Sequence, residues 1–274
     1  MWQDTKNFGI KLFQRITNDD IFGLGAQLAY FLLLSLFPFL LFLMTLTGYL
    51  PMDEQNVTTF IQRYAPGEIS ELINENVSEL VNNQSGSLLS ISIIGTLWAA
   101  SNGINAIMKG FNRAYEVEED RSFLVTRFIA IILTVAMVLV ICMAFLLPVF
   151  GKMIGEYIFA FFGASDGFLN AWDTMRWGAS SVVIFIVLLA LYRMAPNKRI
   201  YFKNVVWGAL FATIGWQLAS MAFSFYVNSM GNYSATYGSL GTVIVLMIWF
   251  YLTGVIIMIG GAINAIIREK TIVD

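Results

Sequence analysis

Between Lys203 and Arg268 the chain reads NVVWGALFATIGWQLASMAFSFYVNSMGNYSATYGSLGTVIVLMIWFYLTGVIIMIGGAINAII, residues Asn204–Ile267, without one charged side chain. A helix crosses the hydrocarbon core of a bilayer in about 20 apolar residues. The stretch therefore holds two crossings, Asn204–Val227 and Leu240–Ile267, with residues to spare. The surplus, Asn228–Gly241, is rich in hydroxyls and amides, contains Gly231, Gly238 and Gly241, and lacks the charges of an ordinary water-exposed loop. Irregular backbone at membrane depth is tolerated only where protein or a watery cavity surrounds it. Two readings follow. In one the segment folds back into the bundle and Asn232, Tyr233, Ser234, Tyr237 and Ser239 line a cavity; in the other it is a compact interfacial turn. The lack of charge favours the first.

Four more apolar runs lie upstream, at Leu24–Leu50, Leu88–Met108, Phe123–Phe150 and Trp177–Ala195. The composition agrees, with 58% hydrophobic and only 12% charged residues, where a soluble domain carries about 25% charged. The predicted fold is all-α: a polytopic membrane protein with six transmembrane helices. Thirteen of the sixteen Lys and Arg residues fall on one side of this layout, and only Arg63, Lys152 and Arg176 on the other. Retained positive charge marks the cytoplasmic side, so both termini are expected there. Residues 1–23 form an interfacial helix in this reading, with Phe8, Leu12 and Ile16 on one face. Residues 24–267 form the membrane domain, and 268–274 a cytoplasmic tail. The external loop 51–87 carries an amphipathic helix, its Ile69, Leu72, Ile73, Val77, Leu80 and Val81 opposite Glu68, Glu71, Glu75 and Glu79.

Histidine is absent and Cys142 is the single cysteine. His-based catalysis, His-containing zinc sites and Cys-rich metal or redox frameworks are thereby excluded, and no cofactor is expected. No acid or base is expected well inside a span, where pumps usually keep one; Glu156 and Arg193 come closest. The second span carries a polar stripe, Trp98, Ser101, Asn102, Asn105, Lys109 and Asn112, within about a third of its circumference at 100° per residue. Beside it run Ser92, Gly95, Ala99, Gly103, Ala106 and Gly110, a small-residue series that lets another helix approach closely. The asparagines either line a cavity or bond across helices. In the first span Gln27, Pro38 and Thr45 share a face with Tyr30 at its edge, and Pro38 removes a backbone hydrogen bond.

Several of these segments together resemble the YihY/BrkB family of bacterial inner-membrane proteins, long labelled ribonuclease BN-like. They are Gly25-Ala-Gln-Leu-Ala-Tyr-Phe-Leu-Leu-Leu-Ser-Leu-Phe-Pro38, Trp98 with Asn105, Phe111-Asn-Arg-Ala-Tyr115, Ala195-Pro196 and Gly231–Gly241. The resemblance covers nearly the whole chain and implies six helices in the bacterial cytoplasmic membrane, without a settled activity. Family members commonly carry Gly-Ala-Glu-Leu-Asn-Ala late in the last span. Here Gly260-Gly-Ala-Ile-Asn-Ala265 keeps Asn264 but has Ala262 for the acid, which argues against a proton or cation carried at that position.

Phosphodiester hydrolysis calls for clustered acids or histidines and a basic surface for RNA. A chain without histidine and with a net charge of −2 fits neither, so no enzymatic activity and no nucleic-acid partner are expected. The favoured function is transport or export of a small neutral, zwitterionic or amphiphilic solute. The route is a polar, uncharged cavity between the first, second, fifth and sixth spans, lined by Gln27, Tyr30, Pro38, Trp98, Asn102, Asn105, Asn264 and the 232–239 segment. A lipid translocase is the nearest variant, and a non-transporting envelope scaffold is the second class. Membrane lipids are the expected partners, and self-association is left open.

Overall fold

The computed structural model describes residues 2–47, 86–138, 166–229 and 239–273. Among them all regular structure is helical: α1 (Trp2–Asn18), α2 (Ile21–Thr47), α3 (Gly86–Ala114), α4 (Phe123–Val138), α5 (Asp166–Met194), α6 (Phe202–Ser229) and α7 (Ser239–Val273). Four of these, α2, α3, α6 and α7, are long and apolar enough to cross a membrane, while the apolar stretches Phe123–Val138 and Gly178–Met194 are shorter. The described parts of the expected runs fall almost entirely within α2 to α7, but α3 extends six residues beyond Met108 because its polar C-terminal turns are held by neighbouring chain. The expected external helix in 51–87 lies almost wholly outside the described residues, as does Glu156.

Outward-facing apolar side chains include Leu34, Phe37 and Leu40 on α2, Leu218, Met221 and Phe225 on α6, and Met247 and Ile248 on α7. Water would penalise so large an apolar face, and lipid would not. Inside, Phe111, Tyr192, Met108, Ile107 and Leu191 are almost fully buried. The rings of Phe111 and Tyr192 pack 5.1 Å apart, and the Tyr192 hydroxyl donates to the Ile257 carbonyl at 2.8 Å. A buried phenol needs such an acceptor.

Close helix approach fixes the packing. On α3 the small series meets α2: Gly95 lies against Pro38 and Gly103 against Leu28, while Gly110 faces Leu24 and, on α7, Met258. These pairs run antiparallel. The α6–α7 seam is tighter still. A Cβ on Gly208 would lie 2.1 Å from the Gly260 carbonyl oxygen and 2.4 Å from the Asn264 amide nitrogen. Higher on the same seam Trp216 donates to Thr253 at 3.1 Å and Trp249 to Ser220 at 3.3 Å.

The amphipathic α1 packs Leu12 and Ile16 against this core and leaves Ile10 and Phe13 exposed. It turns into α2 through Asp20, at φ 55°, a left-handed conformation that Asp tolerates better than most residues. The seam predicts that Gly208→Ala is destabilising by about 1–3 kcal/mol or more, since backbone and a bonded amide cannot yield. Gly178→Ala, which meets nothing within 4 Å, should be neutral or mildly stabilising. Thermal denaturation of the purified variants in detergent compares the two; equal midpoints would remove the seam from the account.

Candidate functional site

A cavity of about 350 Å³ opens between α2, α3 and α4. Gln27 and Phe31 of α2 form one wall, and Asn102, Asn105, Ala106, Met108 and Lys109 of α3 form another. Phe123, Thr126 and Arg127 of the first turns of α4, with Glu119 from the preceding linker, close the third. Arg127 dominates the site. It is only 8% exposed, although it lies one turn inside an apolar helix whose Phe123, Leu124 and Phe128 face outward. Its Nη1 donates to the Asn102 side-chain oxygen at 2.7 Å and its Nη2 to the Trp98 carbonyl at 3.1 Å. The guanidinium carbon lies 3.8 Å from the centroid of the Trp98 ring, a cation–π distance. Its Nε has no partner, and neither do the buried Asn105 Oδ1 and Thr126 Oγ1.

Three of the twelve residues expected at a cavity, Gln27, Asn102 and Asn105, line this one together. Trp98 is its neighbour, serving as the platform for Arg127. Tyr30 is 59% exposed and turns to the outer surface beside Phe31, and Pro38 sits against Gly95. Asn264 is fully buried elsewhere, accepting the Gly208 amide at 2.7 Å; it is helix glue. Ala262, also fully buried, puts no charge there. Asn232, Tyr233, Ser234 and Tyr237 lie outside the described residues, and of Ser239 only its place at the start of α7 is described.

This cavity is framed by α2, α3 and α4. The expected cavity between the first, second, fifth and sixth runs draws on residues 232–238, which lie outside the described residues, while Gly208 and Gly260 bring α6 and α7 close together. The α2–α3–α4 cavity is not uncharged, since Lys109, Glu119 and Arg127 are part of its wall. Arg127 was counted in sequence only as a topological charge. The signal that could have found it is its place inside the third apolar run, with polar Asn102 on the neighbouring span to receive it. Arg193, by contrast, is exposed and stacks 3.6 Å over Phe202, as an interface anchor does.

Below the cavity the helix ends are tied together. The Asn112 side chain donates to Glu119 at 2.8 Å and accepts the Asn197 amide at 2.7 Å. Arg121 binds Glu119 through Nε and Nη2, both at 2.6 Å, and reaches the Ala195 carbonyl at 3.0 Å. Asn197 also donates to the Glu118 carbonyl and to Asp120. A second knot joins Arg15 to Glu116, Glu269 and the Ala114 carbonyl, with Arg113 on the Asp19 carbonyl. The α1–α2 turn, both short linkers and the end of α7 thus share one end of the bundle.

The family model described as virulence factor BrkB matches residues 12–273. This chain belongs to the BrkB family. The BrkB-family chain is 52% identical to a ribonuclease-like protein, YfkH, of Bacillus subtilis (strain 168), over 95% of its own length and 94% of the relative's. It is 25% identical to a UPF0761 membrane protein of Alteromonas mediterranea, covering 96% of this chain and 87% of that one. A UPF0761 membrane protein of Vibrio campbellii is 26% identical over 94% of this chain and 81% of its own. No solved structure matches.

Two tests follow for this BrkB-family chain. Asn102→Leu strips the Arg127 Nη1 of its acceptor and should cost about 1–3 kcal/mol. Asn105→Leu removes a group that has no partner and should cost little or stabilise, a contrast that melting in detergent resolves. Hydrogen bonds from Arg121, and then from Asn112, hold the Glu119 carboxyl below its usual value of 4.5. Its stabilising contribution is therefore complete above that value and disappears as pH falls through the lower folded one. Asp19, raised by burial, acts with the opposite sign but is common to wild type and Glu119→Gln. The variant should melt lower at pH 7 and converge with wild type in acid; a gap that stays constant with pH would exclude the linkage.

Proposed function

We propose that this chain is a six-span transporter of the bacterial cytoplasmic membrane whose cargo is an amphiphile, admitted through the cavity between α2, α3 and α4. One observation carries the reading: a space of about 350 Å³, within the range of ligand sites, whose wall joins apolar Phe31, Met108 and Phe123 to polar Asn102, Asn105 and Arg127. An amphiphile needs both halves. A scaffold would have no use for a cavity with unpartnered polar atoms in its wall, since each such atom weakens the bundle. The reading is of a carrier, and the basic side chains are assigned to topology and to this site rather than to RNA. The gathering of the α1–α2 turn, both short linkers and the end of α7 at one basic end supports an even number of crossings with that end in the cytoplasm.

Orientation is tested with single cysteines in a Cys142→Ala background. Gln84→Cys should react with an impermeant thiol reagent on intact cells, and the exposed Lys198→Cys only after permeabilisation; the reverse pattern would overturn the topology. Transport is tested in proteoliposomes carrying a trace of head-labelled lipid, with and without a proton gradient. Bleaching by an impermeant reductant should extend from the outer leaflet to nearly all the label when the protein is present, and Asn102→Leu should slow it about tenfold or more. Bleaching that stops at the outer leaflet under both conditions would leave no support for translocation.

A further inference from the structure

Charge in the cavity wall does not balance. Glu119 is fully engaged by Arg121 and Asn112, and Arg121 is not a lining residue. Lys109 and Arg127 then face the cavity as two cations, and among the described residues neither is paired with a carboxylate. Arg127 is more than nine-tenths buried, and its partners are neutral: an amide oxygen, a backbone carbonyl and an aromatic face. A buried cation without a counter-charge is costly. The cost falls sharply if an anion arrives. Phe123, Thr126 and Arg127 also belong to the first turns of α4, where the helix dipole favours negative charge.

The unpartnered atoms narrow the chemistry. Arg127 Nε–H lacks an acceptor, Asn105 Oδ1 lacks a donor, and Thr126 Oγ1 lacks either. All three residues line the same cavity. Water could satisfy the hydrogen bonds but not the charge. One molecule that presents an anionic oxygen and a hydroxyl or ammonium hydrogen satisfies both. Phe123 lines the cavity and is 73% exposed on the outer apolar face, so the wall is continuous with the surface that lipid would cover.

We propose that the α2–α3–α4 cavity binds an anionic head group that also carries a hydrogen-bond donor, the chemistry of a hydroxyl-bearing phosphate ester. The proposal rests on the reading of this cavity as the cargo site, and names the cargo's class. Its test is binding and not transport, so the two fail separately: selective binding without translocation removes the transport reading alone, and translocation without selective binding removes this one.

The full-length protein, purified in a neutral detergent, is titrated with dioleoyl phosphatidylglycerol, dioleoyl phosphatidylcholine, glycerol phosphate and inorganic phosphate, and bound ligand is counted by native mass spectrometry. Phosphatidylglycerol should bind about tenfold or more tighter than phosphatidylcholine, a difference of about 1.4 kcal/mol. Glycerol phosphate competing at similar concentration would show that a soluble ester supplies the head, and its failure to compete would show that the lipid does. Lys109→Gln, at an exposed side chain that holds no helices together, should erase most of the preference, and Thr126→Val should weaken it. Arg127→Gln should abolish it where the variant folds. Arg193→Gln, outside the cavity, should leave it intact. Equal affinity for the two lipids would overturn the proposal. So would an equal loss in Arg193→Gln and Lys109→Gln, which would mean general attraction to a basic surface.

Discussion

A guanidinium inside an apolar helix has to find its hydrogen bonds within the protein, and Arg127 finds them on α3. That requirement sets the relation of α4 to the rest of the bundle. The Nη1 and Nη2 bonds reach positions 102 and 98, one helical turn apart on the same face, and the Trp98 ring covers the group that the bonds hold. Any rotation of α4 that turned Arg127 outward would give up both bonds and expose the charge to lipid at several kcal/mol. The cavity lies beside this contact, bounded by Gln27 and Phe31 of α2 and the remaining polar face of α3.

The other constraint is close packing. Glycine brings helices together, at Gly208 and Gly260 between α6 and α7 and along the small series of α3 against α2. The bundle therefore combines closely packed seams with the cavity, whose wall holds three buried polar atoms without partners, Asn105 Oδ1, Thr126 Oγ1 and Arg127 Nε; Asn264 Nδ2, on the α6–α7 seam, is another. The tied linkers around Asn112, Glu119, Arg121 and Asn197 hold the floor beneath the cavity. Asn112 reaches both linkers at once, through its amide to Glu119 and its oxygen to the Asn197 amide, and so couples the α3–α4 and α5–α6 connections.

Much of this was legible in sequence, because lipid enforces long apolar runs and small residues where helices touch. The helix positions, the Gly103 and Gly110 contacts and the inward turn of Asn102 and Asn105 follow from period and composition alone. What could not be read was which helix receives the stripe. Periodicity places Asn102 on a face but names no partner, and a charge counted for topology hides its structural use, as Arg127 shows. Tyr30 faces outward beside Phe31, since an edge position on a helical wheel is decided by the packing angle of its neighbour, which sequence does not contain. Asn264 looked the same as Asn102 in sequence and became a link between helices because Gly208 left its amide within reach.

The central claim is that Arg127 and Asn102 act as one unit, and a double-mutant cycle on folding stability in detergent measures that directly. If the bond holds α4 to α3, Arg127→Leu and Asn102→Leu will be non-additive, with a coupling of about 1–3 kcal/mol and a double variant less impaired than the sum of the singles. Additive effects would mean that the two side chains do not meet and would contradict the account of the cavity built on them.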